Sequence, residues 1–467
     1  MTYDTKTPKV EISADIIVKE LELNGSIKFS NKIITGAFET DLSLKDLTKV
    51  EFAHCEFNSY FNIRIINTKA LEISLHNCKF NKGIEIKSES ASITISSCKI
   101  RHGIKVISEN KIELNIYNIT ISDTIDLSDL KLGKSKFQSV TCIEGATTFS
   151  LKKTVFLETI NFLDSKLLNS NFSGCEFLGE VQFKNILFDS SKAFPPRNFE
   201  KIIFHNKVTF IDISFINSVS FENSVFKNYS FFTRLNNNID ITKASFKEAT
   251  FEKKVYFYKS NFTELSFAEC RFEDFVSFKE LQAGNLDVGN AYFLNGAHFL
   301  NSNISGDRET YRTIKSEFLK INNHVEAAYY KSKELTAYEK ELGNSSYSEL
   351  ILLFFNRISN QHGLRWDRSV LFTILIAIVF FILYLLSLTK TPMHWGWADS
   401  GSFYAESQIT LQYFIRFFII THDLDFMKDY QPTALSFVID FFGKVFIGYG
   451  IYQTIQAFRK YGKTESK

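Results

Sequence analysis

Two ionisable residues of opposite charge stand four positions apart in an otherwise apolar stretch near the C-terminus. Asp440 and Lys444 lie within residues 433–458. Side chains four residues apart share one face of a helix, so the two groups can form an ion pair. Ionisable groups inside a membrane are costly, and by default they indicate a functional site. Two interpretations stay open: a functional intramembrane pair, or an ion pair that only supports packing against other parts of the protein.

A shorter apolar stretch, residues 409–420, precedes this segment. Its 12 residues would make a helix of about 18 Å, which is too short to cross a hydrocarbon core of about 30 Å. The sequence therefore predicts an interfacial or re-entrant helix, with Gln412 and Arg416 as candidate pore residues.

Three glycines, Gly443, Gly448 and Gly450, lie in the segment that carries Asp440. The stretch FIGYG at 446–450 contains the GYG of a potassium-channel filter, but such a filter lies in a loop before the last span. We therefore predict that these glycines allow another helix to approach closely.

Recognisable catalytic motifs are absent from the sequence. The nine histidines are scattered, and no metalloprotease, P-loop or nucleophile-elbow pattern occurs. Residues 421–429, THDLDFMKD, lack the spacing and the glycine of a calcium loop, so we predict a solvated outer loop there. We expect no enzyme activity, no catalytic residues and no cofactor.

The six cysteines are predicted to be structural and reduced. No C-x-x-C pair occurs, which argues against a metal site. Five stand two residues before a Phe or Ile, which predicts small inward-facing thiols: Cys55, Cys78, Cys98, Cys175 and Cys270. Cys142 does not fit this pattern.

The elements that position these residues begin with a repeat. Phenylalanine recurs every five or six residues, as in Phe246, Phe251, Phe257, Phe262, Phe267 and Phe272. A small or β-branched residue usually stands two positions before each phenylalanine, which predicts short strands separated by polar corners.

A longer period is superimposed on the short one. The stretches GIEI, GIKV, TIDL and GATTF begin at Gly83, Gly103, Thr124 and Gly145, at steps of 20, 21 and 21 residues. Four short units therefore form one coil, and stacked coils make a square β-solenoid of roughly 14 turns.

The units ASFKE, ATFEKK, SNFTE and CRFED resemble the pentapeptide-repeat family. The resemblance implies a mainly-β fold, a right-handed quadrilateral β-helix over residues 10–305. Some members of the family mimic DNA and bind type II topoisomerases, which requires an acidic rod. Residues 1–300 contain 36 Lys and Arg and 36 Asp and Glu, and 36 − 36 gives a net charge of zero. We therefore predict no DNA mimicry and no nucleic-acid partner.

The rest of the chain is predicted to be helical and to enter a membrane. A helical hairpin at 306–345 would cap the open end of the solenoid, although it could instead present a partner-binding face. The segments predicted to follow are an amphipathic pre-membrane helix at 346–368, transmembrane helix 1 at 369–389, an outer loop at 390–432 with a short apolar helix at 405–420, transmembrane helix 2 at 433–458 and a basic cytoplasmic tail at 459–467.

Basic residues flank the predicted spans on one side of the membrane. They are Arg357, Arg365 and Arg368 before the first span, and Arg459, Lys460 and Lys463 after the second. The positive-inside rule then places both termini in the cytoplasm and residues 390–432 outside, with Trp395 and Trp397 at the outer interface. The polar N-terminus shows no signal peptide. We predict a two-span protein of the plasma (inner) membrane, in contact with lipid.

The whole arrangement resembles bacterial pentapeptide-repeat membrane proteins, some of which look like two-span ion channels. The filter motif T-x-G-[FY]-G is absent from the expected place. Two hypotheses follow, both with a homo-oligomer. The first is a non-catalytic membrane-anchored scaffold or sensor whose rod binds an unknown cytosolic protein. The alternative is an oligomeric two-span ion channel or a membrane-disrupting effector gated by the rod.

Overall fold

The chain forms two compact units, Met1–Gly306 and Asp307–Lys467, and each is described by itself. The computed structural model describes residues 9–23, 26–42, 48–65, 71–143, 148–190, 198–235, 242–343, 346–390 and 400–462. Four residues named above lie outside that part of the chain: Gly145, Trp395, Trp397 and Lys463.

The N-terminal unit is a parallel β-solenoid of about 12 turns, which confirms the predicted fold class. One inward-facing column runs through it: Phe29, Phe52, Leu75, Ile95, Ile116, Phe137, Phe162, Phe183, Phe210, Phe232, Phe257, Phe278 and Phe299. Where two phenylalanines follow each other the rings stack; the centroids of Phe183 and Phe210 are 4.7 Å apart. Each such ring buries both faces against the neighbouring turns.

The strands are short, and most face the same strand of the next turn. They are β1 (Val10–Ser13), β2 (Ser26–Ser30), β3 (Lys32–Thr35), β4 (Phe38–Leu42), β5 (Lys49–Ala53), β6 (Glu56–Phe57), β7 (Phe61–Ile65), β8 (Leu71–His76), β9 (Lys79–Phe80), β10 (Ile84–Ser88), β11 (Ala91–Ser96), β12 (Lys99–Ile100), β13 (Ile104–Ile107), β14 (Lys111–Ile121), β15 (Ile125–Asp126), β16 (Lys131–Leu132), β17 (Ser135–Cys142), β18 (Phe149–Ser150), β19 (Val155–Phe156), β20 (Ile160–Leu168), β21 (Glu176–Phe177), β22 (Val181–Asp189), β23 (Ile203–Phe204), β24 (Val208–Ile211), β25 (Ser214–Ser220), β26 (Val225–Phe226), β27 (Ser230–Thr233), β28 (Thr242–Ser245), β29 (Thr250–Phe251), β30 (Val255–Tyr258), β31 (Asn261–Ser266), β32 (Arg271–Phe272), β33 (Val276–Ser277), β34 (Gln282–Asp287), β35 (Tyr292–Phe293), β36 (Ala297–His298) and β37 (Asn303–Gly306).

The predicted 14 turns were too many because the turns differ in length. The step from Leu75 to Ile95 is 20 residues, whereas the step from Phe183 to Phe210 is 27. The expected 21-residue step to Gly145 was also wrong. Ile125 pairs with Phe149, so this turn has 24 residues. Extra residues enter at corners, where they leave the inward positions unchanged.

One corner of the solenoid has a left-handed backbone in every turn. The residue two positions after each member of the inward column has a positive φ: Asn31, His54, Asn77, Ser97, Asn118, Ser139, Asp164, Asn185, Asp212, Arg234, Lys259, Glu280 and Asn301. Asn and Asp tolerate this conformation best among residues with a Cβ, because their short side chains bond to the nearby backbone. This explains why polar residues recur between the strands.

A helix that the sequence analysis missed packs on the first turn. Helix α1 (Ala14–Leu23) follows β1 directly. Its residues Ala14, Ile17 and Leu21 are buried, and it contacts β1, β2 and β4. The helix thus covers the apolar interior of the first turn, which a bare solenoid would expose.

All cysteines of the solenoid are free and buried, as predicted for five of them. Cys142 is buried as well, in a position that the sequence pattern did not indicate. It pairs with Ile121 and therefore occupies the place that a phenylalanine or isoleucine takes in other turns.

The C-terminal unit is helical. Its elements are α2 (Arg308–Lys320), α3 (His324–Leu342), α4 (Tyr347–Asn360), α5 (Trp366–Leu386), α6 (Ser400–Phe418), a 3-10 turn (Lys428–Tyr430) and α7 (Ala434–Gly462). Helices α2 and α3 form an antiparallel hairpin, in which the rings of Phe318 and Tyr330 stack at 5.6 Å. Asp307 and Asn323 cap the two helices with their side chains.

Helices α5 and α7 are each long and apolar enough to cross a membrane, judged by length and composition. They run antiparallel. Trp366 at the start of α5 stacks on Phe458 near the end of α7, with 5.2 Å between ring centroids. At the other end the hydroxyl of Ser387, just after α5, donates a 2.8 Å hydrogen bond to that of Ser436. The chain therefore enters α5 and leaves α7 on the same side.

Candidate functional site

Asp440 lies on α7, and its side chain is fully buried. Its Oδ1 is 2.8 Å from Nε2 of His422, and its Oδ2 is 3.2 Å from Nζ of Lys444. The Lys444 ammonium also donates a 2.9 Å hydrogen bond to the backbone carbonyl of His422. The structure therefore brings the predicted pair together and adds a histidine. We call Asp440, His422 and Lys444 the Asp–His–Lys cluster.

The contacts of His422 indicate where its protons lie. Nδ1 is 2.7 Å from the carbonyl oxygen of Ile419, which can only accept, so Nδ1 carries a hydrogen. Nε2 faces a carboxylate oxygen of Asp440, and two lone pairs at 2.8 Å would repel each other. One proton therefore lies between these two atoms. The cluster can exchange that proton, or it can serve only as a polar contact that holds the loop on α7.

The surroundings of the cluster are apolar. The His422 ring centroid lies 4.5 Å from that of Phe426 and 5.7 Å from that of Phe417. Tyr384 and Met427 are buried in the same group of side chains. Low local polarity strengthens contacts between charges and makes an unpaired charge costly. The three ionisable groups therefore depend on one another.

The prediction of a solvated loop at 421–429 was wrong for two residues. The His422 side chain is 6% exposed, and Met427 is fully buried. The acidic residues of this stretch are exposed, as expected for the solvated part. Sequence reasoning missed His422 because it lies 18 positions before Asp440, on a separate element. Only the folding back of the loop after α6 brings the two together.

The candidate pore residues Gln412 and Arg416 do not join the cluster. Both lie on α6 with exposed side chains. The Arg416 guanidinium lies 5.9 Å from the ring centroid of Tyr413 on the same helix. Helix α6 has 19 residues, which is longer than the apolar stretch 409–420.

The three glycines of α7 have different surroundings. A Cβ on Gly450 would lie 2.3 Å from Oγ1 of Thr373 on α5, and one on Gly443 would lie 2.8 Å from the ring of Phe417. A Cβ on Gly448 would meet only Ile420, at 3.7 Å. Close approach by a neighbouring helix thus accompanies Gly450 and Gly443, whereas Gly448 has room for a side chain.

A second polar cluster joins α4 to α7, and sequence reasoning missed it. Oδ1 of Asn356 accepts hydrogen bonds from the Tyr449 hydroxyl at 3.0 Å and from Nε2 of Gln453 at 2.7 Å. The amide of Asn360 donates to the backbone carbonyl of Gln453 at 3.2 Å and to its side-chain oxygen. These bonds fix the pre-membrane helix against the end of α7.

His362 follows this cluster in a left-handed turn. Its φ is 57°, and the turn continues into Gly363. Neither ring nitrogen has a hydrogen-bond partner among the described residues. Burial lowers the pKa of His362, although the nearby Glu339 carboxylate opposes this effect. The imidazole is therefore held in its neutral form.

Residues 239–282 match the family model described as pentapeptide repeats, nine copies. The chain contains pentapeptide repeats. The matched segment includes β28 to β33 and the stacked ring pair Phe251 and Phe272. The inward column continues on both sides of this segment, from Phe29 to Phe299. Searches of curated proteins and of solved structures gave no match.

Among the residues that the structure describes, no group of three or more His, Cys, Asp or Glu side chains could hold a metal ion. The pentapeptide-repeat solenoid instead presents a patterned outer surface, and the helical unit presents apolar helices.

Proposed function

We propose that the protein is a non-catalytic membrane-anchored scaffold that presents its solenoid to a cytosolic protein. The observation that carries the proposal is the apolar outer surface of α5 and α7. Large apolar side chains of both helices are more than half exposed: Leu371, Leu375, Val379, Leu386, Leu435, Val438, Phe441, Val445 and Ile455. Soluble proteins rarely expose so large an apolar surface, and a lipid bilayer covers it without cost.

The antiparallel packing of α5 and α7 supports a topology with both termini on one side. Trp366 and Phe458 meet at the end where the solenoid precedes α5. The basic residues Arg365, Arg368 and Arg459 lie near the same end. The positive-inside rule therefore favours a cytoplasmic solenoid in the plasma membrane.

Helix α4 is suited to the membrane surface. Its residues Ile351, Leu352 and Phe354 are exposed, while Arg357 near its end pairs with Glu339 at 3.1 Å. An apolar face beside basic groups is typical of helices that lie in the interface.

The alternative is an oligomeric pore or membrane-disrupting effector. The observation in its favour is the Asp–His–Lys cluster on a membrane-crossing helix, because such groups often line ion or proton pathways. Against it, Asp440 is fully enclosed within one chain and Lys444 is only 19% exposed. These groups face the interior of the helical unit rather than a surface that a second copy would share.

The experiment is a reconstitution of the full chain in planar bilayers, with the mass of the particle measured in detergent. A silent bilayer and a small oligomer support the anchored scaffold. Discrete currents that change in the Asp440→Asn variant would overturn it and establish a pore. The matched control is Asp429→Asn, which removes an exposed acid from the loop before α7.

A further inference from the structure

Outward-facing aromatic rings and lysines share one wall of the solenoid. The wall is formed by β24, β27, β30, β33 and β36, which pair in succession. We call the following residues the aromatic–lysine face: Lys207, Tyr229, Phe231, Lys254, Tyr256, Tyr258, Lys259, Phe275 and Lys279. They occupy the outward strand positions and the two corners of this wall.

The solenoid core does not require these rings. Along β27, Phe232 points inward and is fully buried, whereas its neighbour Phe231 points outward. The same alternation on β30 buries Phe257 and turns Tyr256 outward. Tyr229 at the corner is 44% exposed. Aromatic side chains that are half in water add little to folding, and aromatic clusters on a surface are typical of protein interfaces.

The rings present their edges, not their faces. Phe231 and Tyr256 stack with 5.2 Å between centroids and 6° between planes. Lysine ammonium groups lie near the ring faces: Lys207 is 5.8 Å from the centroid of Phe231, and Lys259 is 5.2 Å from that of Tyr258. An aromatic ring is electronegative on its face and electropositive at its edge. The exposed edges and the ammonium groups therefore both attract negative charge.

The net charge of the wall agrees with this polarity. The face and its corners carry Lys207, Arg234, Lys254, Lys259 and Lys279 against Asp212, Asp274 and Glu280, and 5 − 3 gives +2. Residues 1–300 as a whole have a net charge of zero. The positive charge is thus concentrated here.

We propose that the aromatic–lysine face is the docking surface of the solenoid and that it binds an acidic protein segment. This inference rests on the proposed scaffold function and names the class of its partner. Carboxylates pair with the lysines while the carbon skeleton of the segment packs on the ring edges. Five turns cover about 19 Å, which corresponds to about six residues of extended chain. A segment of six or more residues with several Asp or Glu side chains fits the surface.

Single-stranded nucleic acid is the other polymer that combines negative charge with stacking. Its bases need free ring faces to stack on. Here the faces of Phe231 and Tyr256 cover each other, and Lys207 approaches Phe231 from the side. The geometry therefore favours carboxylates over nucleobases.

The test uses the full chain in detergent and a fluorescent dodecamer of glutamate, with fluorescence anisotropy as the readout. We expect binding that weakens with salt, because the contacts are ionic. The variant Lys207→Glu with Lys254→Glu should weaken it by about tenfold or more. The control variant, Lys153→Glu with Lys201→Glu, makes the same change of charge at exposed corners outside the face and should bind as the parent does. A second variant, Phe231→Ser with Tyr256→Ser, should also weaken binding, because it removes the ring edges without changing the charge.

Three results would overturn the inference: no binding of the glutamate dodecamer, equal loss in the control variant, or tighter binding of a thymidine dodecamer. The proposed scaffold is judged separately by the bilayer experiment. Currents with a bound dodecamer would reject the scaffold and keep the docking face. Silent bilayers without dodecamer binding would do the reverse.

Discussion

At the scale of single residues, Asp440 depends on two partners on different elements. Replacing it with leucine leaves the Lys444 charge and the inner nitrogen of His422 without their carboxylate. Breaking a buried ion pair from one side costs about 3–5 kcal/mol. We expect the Asp440→Leu variant to lose that much stability in detergent, measured by thermal unfolding.

The triple variant Asp440→Leu, Lys444→Leu, His422→Leu separates function from packing. It removes every member of the Asp–His–Lys cluster, and apolar replacements of a buried ionic group are often neutral or stabilising. We expect its stability to return close to the parent value. If the single and triple variants unfold alike, the three groups do not act as a unit.

His362 gives a dependence on pH whose sign follows from its environment. Burial lowers the pKa of this imidazole in the folded state, while in the unfolded chain the value is about 6.5. Below about pH 6.5 the unfolded chain binds a proton that the folded chain does not, so stability falls as pH drops. Above that pH the contribution is constant.

The measurement is the unfolding temperature between pH 8 and pH 5.5 for the parent and for His362→Asn. Asparagine tolerates the left-handed φ of 57° and has no titrating ring. We expect the variant to lose less stability on acidification than the parent. Equal loss in both proteins would show that other groups carry the dependence.

At the scale of elements, the periodicity of phenylalanine was enough to predict the solenoid, because every inward position demands a large apolar side chain. It could not predict α1, which covers an end and belongs to no repeat. It also could not predict turn lengths, since extra residues at corners leave the inward pattern intact. In the helical unit the spacing of Asp440 and Lys444 was readable within one helix. His422 was not, because its position depends on how the chain turns after α6.

The left-handed corners of the solenoid can be tested one residue at a time. Lys201 is exposed and has a φ of 55°. A β-branched residue suffers most in this conformation, and asparagine suffers least. We expect Lys201→Val to lower the free energy of unfolding by about 1 kcal/mol and Lys201→Asn to leave it unchanged or raise it. Urea unfolding followed by circular dichroism would compare the two, and a more stable valine variant would contradict the assignment.

The inward and outward faces of one strand give a sharper contrast. Phe232 is fully buried between Phe210 and Phe257, with ring centroids at 5.0 Å and 4.6 Å. Replacing it with alanine should cost about 3–5 kcal/mol. The same replacement at the adjacent Phe231, which points outward, should cost far less. Limited proteolysis should then cut the Phe232→Ala solenoid near its middle and spare the Phe231→Ala solenoid.

At the scale of the whole molecule, a solenoid and a pair of apolar helices divide the work between recognition and anchoring. Each repeat buries its core against the next turn, so the outer surface is free to vary without loss of fold. This explains how one wall can carry rings and lysines that the core does not use. The helical unit keeps its polar groups inside and its apolar groups outside, which is the reverse arrangement.

The proposed topology predicts which parts of the chain a membrane-impermeant maleimide can reach in intact cells. The native thiols provide a silent background, because all six cysteines are free and buried, and burial raises the pKa of Cys175 to about 12. Asp425 and Ser348 are both exposed, the first in the loop before α7 and the second on α4. The Asp425→Cys variant should be labelled from outside, whereas Ser348→Cys should be labelled only after permeabilisation. The reverse pattern would place the solenoid outside the cell and remove the cytosolic partner, while labelling of neither variant in permeabilised cells would show that the two sites are covered.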